Sequence, residues 1–215
     1  MKSLVVAASL LALTALPTRV WACPGQTGKV IFSDNFADDT GGWDPSQGKW
    51  VKAGDYAVTL PKGDYLVDDF NQTFNAENGD FCVVGKFPDG AADPKNPSAV
   101  RLDFWASDYQ NYFELHVGTD KDVFLSKLVK NAFTNIWTVH NSDAVNVTPG
   151  ASNTLRVVVK DQKISAYVNG KLIKVVRAQM PKDANKFGFG GSFTNEKASV
   201  DTDFHFQSFN VTAAP

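Results

Sequence analysis

The sequence lacks several features that mark common classes of protein. It has only two cysteines, three histidines and two methionines, and it shows no internal repeat and no amphipathic helical pattern. Its 21 basic residues do not exceed its 23 acidic ones, and no basic patch stands out, which argues against a nucleic-acid partner. The motifs G-x-S-x-G and H-E-x-x-H and the phosphate-binding loop are also absent, so none of these catalytic motifs points to an enzyme.

Long apolar runs are missing except at the N-terminus. There Lys2 precedes an apolar run from Leu4 to Leu16, and Val20-Trp21-Ala22 resembles a cleavage site. The run is too short to cross a bilayer, which takes about 20 residues, and no later stretch is long enough. We therefore predict a signal peptide over residues 1–22 and a single exported domain over residues 23–215, secreted or periplasmic and without a membrane span.

The two cysteines, Cys23 and Cys82, allow three interpretations. In an oxidising compartment they pair as a disulfide, which we favour. Alternatively, Cys23 becomes a lipidated N-terminus after cleavage, although Trp21 is bulky for a lipoprotein signal. Cys82 as a buried free thiol is the third interpretation.

The stretch from Asn153 to Val176 predicts three consecutive strands. Apolar residues alternate with polar ones, as in half-buried strands, at Leu155, Val157, Val159, Ile164, Ala166 and Val168. Asp161-Gln162 predicts the first turn, and Asn169-Gly170 predicts a type I′ hairpin turn because that turn needs positive φ at both central residues. Such a meander has one apolar face and needs a second layer.

Short strands with turn residues between them are predicted along the rest of the chain. They cover residues 30–36, 48–51, 56–60, 64–70, 79–87, 98–106, 109–117, 123–129, 133–140, 186–193 and 200–211. About a dozen short strands favour an all-β sandwich or barrel.

Several of these segments carry a family resemblance. Six segments follow one another in the chain: GKWVKAGDYAVTL, GDFCVVGKFPD, NYFELHV, NTLRVVVKDQKISAYVNGKLI, KFGFGGSF and DFHFQSFNVT. Their order resembles that in concanavalin A-like (laminin G-like) jelly rolls. More narrowly, the chain is similar to exported bacterial domains grouped with family 16-like glucanases and 3-keto-disaccharide hydrolases. The resemblance implies a two-layer antiparallel jelly-roll sandwich whose concave sheet holds a glycan.

The hairpin over residues 98–117 supplies the candidate site. With a turn at Ser107-Asp108, one face carries charged, aromatic and amide groups together. We predict Glu114 and Asp103 as candidate catalytic carboxylates. We predict ligand-binding roles for Trp105, Tyr112, Arg101, His116 and Gln110. The alternative interpretation is a solvated outer face with a weak Arg101–Glu114 ion pair.

Catalysis is the less favoured role for this face. Glycosidases generally use two carboxylates, but the family 16 pattern E-x-D-x-x-E is absent. The NYFELHV strand resembles the Glu-x-Gln strand of the 3-keto-disaccharide hydrolases, with His116 in the place of the Gln. Arg101 next to Glu114 would favour the charged carboxylate, which is a poor proton donor.

Metal binding is a weaker expectation, and no cofactor is predicted. Two acidic clusters could supply ligands: Asp34, Asp38 and Asp39 for Ca²⁺, and Asp201, Asp203 and His205 for another metal. Three hypotheses follow for the domain: a lectin-like glycan-binding module, a glycosidic-bond hydrolase of the same fold, or a structural or adhesion protein of the envelope. The sequence indicates neither the glycan nor the oligomeric state.

Overall fold

The structure is a computed structural model that describes residues 23–89 and 93–215. The predicted signal peptide, residues 1–22, lies outside the described residues. Within the described ranges the regular secondary structure consists of strands alone, as the period-two patterns predict. No helix in these ranges is long and apolar enough to cross a membrane.

The described part of the chain contains fourteen strands. In chain order they are β1 Val30–Asp34, β2 Gly48–Lys52, β3 Asp55–Leu60, β4 Leu66–Phe70, β5 Gly79–Lys86, β6 Ser98–Asp108, β7 Asn111–Gly118, β8 Val123–Val129, β9 Ala132–Val139, β10 Ser152–Lys160, β11 Lys163–Val168, β12 Lys171–Arg177, β13 Lys186–Phe193 and β14 Thr202–Thr212.

The strands form two antiparallel sheets around a shared apolar core. The larger sheet has the order β12-β11-β10-β5-β14-β3-β2, with β1 also paired to β14, and the smaller sheet has the order β4-β13-β6-β7-β8-β9. Each sheet turns alternate residues inward, so that Val157 of β10 and Leu102 of β6 are fully buried in one core cluster. Burial of such a side chain contributes about 1.5–3 kcal/mol. The predicted all-β, two-layer antiparallel sandwich is confirmed.

The predicted meander forms one end of the larger sheet. Leu155 of β10 pairs with Val168 of β11, and both are fully buried. Asn169 and Gly170 have φ of 49° and 80°, as a type I′ turn requires. Residues 161–162, the other predicted turn, also have positive φ, 50° and 65°.

The hairpin β6–β7 differs from the prediction in its turn and register. The turn lies at residues 109–110, not at Ser107-Asp108, and Arg101 pairs with His116 instead of Glu114. Because the pairing is displaced by two residues, the side chains of this pair stay on the predicted faces.

Trp105 is the exception, and its predicted place beside the charged residues is wrong. Between Phe104 and Asp108 the β6 strand bulges, and Trp105 has a φ of 49°. A bulge breaks the alternation of faces, so Trp105 packs in the core against Phe104 and Phe113, with ring centroids 5.7 and 5.3 Å away. Its indole N–H donates to the carbonyl of Glu77 at 2.6 Å.

The first described residues are tied to the outer face of the larger sheet. Cys23 and Cys82 form a disulfide with Cα atoms 6.2 Å apart. Beside it, Arg156 makes an ion pair with the buried Asp80 (Nη2–Oδ2 2.7 Å) and donates to the carbonyl of Gly25 at 2.9 Å. Residues 23–25 are therefore held on the sheet opposite to the hairpin β6–β7.

Candidate functional site

A row of polar side chains crosses the outer face of the smaller sheet. Strands β6, β7 and β8 bury Leu102, Leu115 and Leu125 in the core, so the residues between these point away from it. The outward residues are Arg101 on β6, Glu114 and His116 on β7, and Ser126 on β8. We call these four residues the polar floor.

Arg101 and Glu114 connect the polar floor through an ion-pair network. Arg101 Nη1 donates to Glu114 Oε2 at 2.8 Å, and Nη2 forms an ion pair with Asp68 of β4, on the far side of β13. Ser126 Oγ donates to the other carboxylate oxygen, Glu114 Oε1, at 2.6 Å. The Arg101 side chain is only 1% exposed, and burial of its charge is tolerated because carboxylates lie on two sides of the guanidinium.

A cavity of about 470 Å³ opens above the polar floor. Its aromatic walls are Tyr65, just before β4, together with Phe124 of β8, Phe133 of β9 and Phe193 of β13. Tyr65 and Phe133 are each 48% exposed. We call this space the sheet-face cavity.

His116 lies in the floor as a neutral ring. It stacks on Phe124 with centroids 3.8 Å apart and an interplanar angle of 19°. Burial, assisted by the charge of Arg101, lowers the pKa of His116 well below 6.5. His116 is therefore uncharged at neutral pH.

Three of the predicted ligand and catalytic residues line the sheet-face cavity, namely Arg101, Glu114 and His116. Tyr112 and Asp103 lie on the same side of the sheet but are fully buried. Tyr112 packs with Phe70, Ala106 and Leu128 in a small apolar cluster, and its hydroxyl donates to Asp68 Oδ2 at 2.8 Å. The ring of Tyr112 is therefore covered by protein. Gln110 is exposed in the hairpin turn, away from the lining residues.

Asp103 is a buried carboxyl group without a hydrogen-bond partner among the described residues. It pairs across the ladder with Glu114. Burial raises its pKa to about 7, with the charge of Arg101 opposing the rise and that of Glu114 adding to it. Asp103 is therefore largely protonated below neutral pH.

Comparison with known proteins identifies the fold and leaves the family unassigned. No protein-family model matches the sequence, and no curated protein matches it. Among solved structures, the carbohydrate-binding module CBM66 from Bacillus subtilis is 14% identical over 80% of this chain and 96% of that one, with a TM-score of 0.59. A Bacillus licheniformis β-glucanase is 13% identical over 87% and 99% of the two chains, with a TM-score of 0.61. The catalytic domain of a Thermotoga petrophila endo-1,3-β-glucanase is 11% identical over 87% and 98%, also with a TM-score of 0.61.

The chain has the fold of a concanavalin A-like jelly roll. The predicted fold is thus confirmed by both the topology and the solved structures. At identities this low the likeness concerns the fold alone, since one fold hosts many functions.

The aromatic walls of this jelly roll were missed by the sequence analysis. Phe124 lies beside His116 and Ser126 beside Glu114 on the outer face, because β8 pairs with β7 at those positions. Extending the alternation from β7 to β8 would have identified both. Tyr65, just before β4, could not be identified in this way. Its place beside the cavity depends on β13 lying between β4 and β6, and β13 is distant from both strands in sequence.

Two of the three acids predicted to bind Ca²⁺ have protein partners. Asp34 accepts from the indole N–H of Trp43 at 2.7 Å, and Asp38 accepts from the hydroxyl of Thr40 at 2.5 Å. No group of three or more His, Cys, Asp or Glu side chains within residues 23–89 and 93–215 is arranged to hold a metal ion.

A second cavity, of about 600 Å³, lies on the larger sheet beside Asp201, Asp203 and His205. Three of its charged groups have protein partners: His205 Nδ1 lies 2.7 Å from Asp55 Oδ1, and Asp203 accepts from the hydroxyl of Thr59. Its described lining contains one phenylalanine and no tyrosine or tryptophan. Although larger, it offers fewer aromatic faces than the sheet-face cavity, which we take as the candidate site.

Proposed function

We propose that the protein is an exported lectin-like domain that binds a glycan in the sheet-face cavity. The observation that carries the proposal is the combination of half-exposed aromatic walls with a hydrogen-bonding floor. Small-ligand sites are typically concave and largely apolar, with a few polar groups that fix orientation.

The apolar walls of the cavity match the C–H faces of a sugar, and its hydrogen-bonding floor matches the sugar hydroxyl groups. Tyr65 and Phe133 present flat apolar faces to the C–H side of a pyranose ring. Each oxygen of Glu114 accepts one hydrogen bond from the protein, and a carboxylate offers about four acceptor sites. Glu114 can therefore also accept from sugar hydroxyls.

The solved structures support a glycan at the level of the fold. They include a carbohydrate-binding module and glucanases, so this jelly roll occurs in proteins named for binding glycans and for cleaving them. The predicted signal peptide over residues 1–22 agrees with a domain that meets its glycan outside the cytoplasm.

A glycosidase is the second candidate, and the raised pKa of Asp103, about 7, is the observation that favours it. A protonated carboxyl beside a carboxylate is the arrangement that glycosidases use. However, Asp103 is fully buried and does not line the cavity, so a bound glycan would not reach it without rearrangement. Binding without cleavage is therefore the better-supported function, and an envelope adhesion role without glycan binding ranks third.

The binding proposal is tested with two wall variants of the mature protein. Tyr65→Ala and Phe133→Ala should each weaken binding of an oligosaccharide selected on a glycan array. The loss should be about 5- to 150-fold in calorimetry, by analogy with base–aromatic stacking worth about 1–3 kcal/mol.

Leu172→Ala serves as the matched control, because Leu172 is 50% exposed on the edge strand of the other sheet. It should bind like the wild type, and circular dichroism should show all three variants folded. Unchanged affinity in both wall variants would remove the sheet-face cavity as the site.

Glu114→Gln separates binding from hydrolysis. A binding module should retain most of its affinity, since the amide oxygen still accepts a hydrogen bond. A hydrolase that uses this carboxylate would lose turnover by orders of magnitude with little loss of binding. Release of reducing sugar by the wild type, abolished in Glu114→Gln, would establish the enzyme in place of the lectin.

A further inference from the structure

The sheet-face cavity has no free positive charge in its floor. Arg101 is the one arginine or lysine among the described lining residues. Its Nη1 is bound to Glu114 and its Nη2 to Asp68. The Nε–H has no hydrogen-bond partner among the described residues, but it is buried. With the whole side chain 1% exposed, the guanidinium presents no accessible donor to an anionic ligand.

The charges beneath the cavity sum to a negative value. Arg101 stands against the carboxylates of Glu114 and Asp68, while His116 is neutral at pH 7 because its pKa is lowered by burial and by Arg101. Any ionised fraction of Asp103 adds further negative charge. One basic group lies near the rim, Lys197, whose Nζ is 5.5 Å from the ring centroid of Tyr65.

Lys197 does not compensate for the floor. Its side chain is exposed, so water and salt screen its charge, whereas buried charges are screened much less. Glu114 is 2% exposed and directly lines the cavity. An acidic group on a ligand would therefore meet a poorly hydrated carboxylate.

We propose that the cavity selects uncharged glycans and rejects acidic ones, such as uronates and sulfated sugars. This inference rests on the proposed function, because it assigns the ligand class of the same site. Hydroxyl groups of a neutral sugar donate to Glu114, whereas a carboxylate or sulfate has no proton to donate and repels it. Juxtaposed like charges strongly disfavour a wrong partner.

The test uses matched pairs of oligosaccharides that differ only at C6, where a hydroxymethyl group is replaced by a carboxylate. Tetrasaccharides of β-1,4-glucose, β-1,4-mannose and β-1,3-glucose are compared with the same compounds after oxidation of their primary hydroxyls to carboxylates. In calorimetry at pH 7 and low salt, the neutral member that binds should bind at least about tenfold more tightly than its oxidised counterpart. Glu114→Gln should bring the ratio of the two affinities closer to one.

Asp183→Asn is the control for net charge. It removes one negative charge from a side chain that is 80% exposed and does not line the cavity, so the ratio should stay at its wild-type value. An oxidised member that binds as well as its neutral counterpart, and loses affinity in Phe133→Ala, would overturn the selectivity while leaving the proposed function standing. Failure of every probe to bind, or binding that neither wall variant weakens, would instead defeat the proposed function and this inference with it.

Discussion

Replacing Asp103 by asparagine should stabilise the protein at pH 8 much more than at pH 5. The pKa of Asp103 is raised from 3.8 to about 7 by burial, so the folded protein holds this proton over a pH range where the unfolded chain has lost it. The folded state then binds more protons than the unfolded state, and stability falls as the pH rises through that range. Asparagine does not titrate, so the unfolding free energy of the variant does not fall with pH through this position.

The size of the effect follows from the two pKa values. Between pH 5 and pH 8 the wild type should lose about 2–3 kcal/mol of unfolding free energy through Asp103 alone. Asp69 has a pKa of about 7, raised mainly by burial, and contributes a loss of the same sign. His116, with its lowered pKa, acts in the opposite direction below about pH 6.5. Because Asp69 and His116 remain in both proteins, the difference between wild type and variant isolates Asp103.

Urea denaturation at pH 5, 6, 7 and 8 measures this difference. The free-energy gap in favour of Asp103→Asn should widen steadily with pH, whereas the exposed-site variant Asp183→Asn should follow the wild type. A gap that stays constant from pH 5 to pH 8 would refute the reasoning, since it would mean that the Asp103 carboxylate is solvated or partnered in the folded protein.

Two glycine substitutions test the fold through different physical causes. Gly191→Ala should destabilise the protein by about 1–3 kcal/mol in urea denaturation, because an added Cβ would overlap the ring of the fully buried Phe204. A urea midpoint equal to that of the wild type would show that the sheets are not packed as described. Gly170→Val should also cost about 1–3 kcal/mol, but through its φ of 80° alone, since the nearest atom, in Pro24, is 3.5 Å from the added Cβ. A Gly170→Val variant as stable as the wild type would contradict the type I′ turn.

Local patterns were sufficient to predict most strands and the face of the charged residues. The alternation around Leu155 and the Asn169-Gly170 turn determine the meander without any information from distant parts of the chain. On the hairpin β6–β7, the side on which Arg101 and Glu114 lie was correct although the register was not. A two-residue displacement of the register leaves each side chain on the same face of the sheet, so the predicted face is correct although the predicted pairing is not.

The misplacement of Trp105 has a local cause, whereas the missed walls have a distant one. A bulge carries no clear sequence signal, and a tryptophan after Phe104 reads as an alternating outward residue until the backbone is seen. Tyr65 reaches the cavity because β13 lies between β4 and β6, and no local pattern specifies that order. Burial of Tyr112 likewise depends on Phe70, which is far away in the sequence.

Mapping a bound glycan onto the two sheets tests the central claim most directly. Backbone amide shifts of the isotope-labelled mature protein would be followed by NMR during titration with a neutral tetrasaccharide that binds in calorimetry. The account predicts that the largest changes cluster at Tyr65, Glu114 and Phe133 around the sheet-face cavity. Changes confined to His205 and its neighbours on the larger sheet would contradict it.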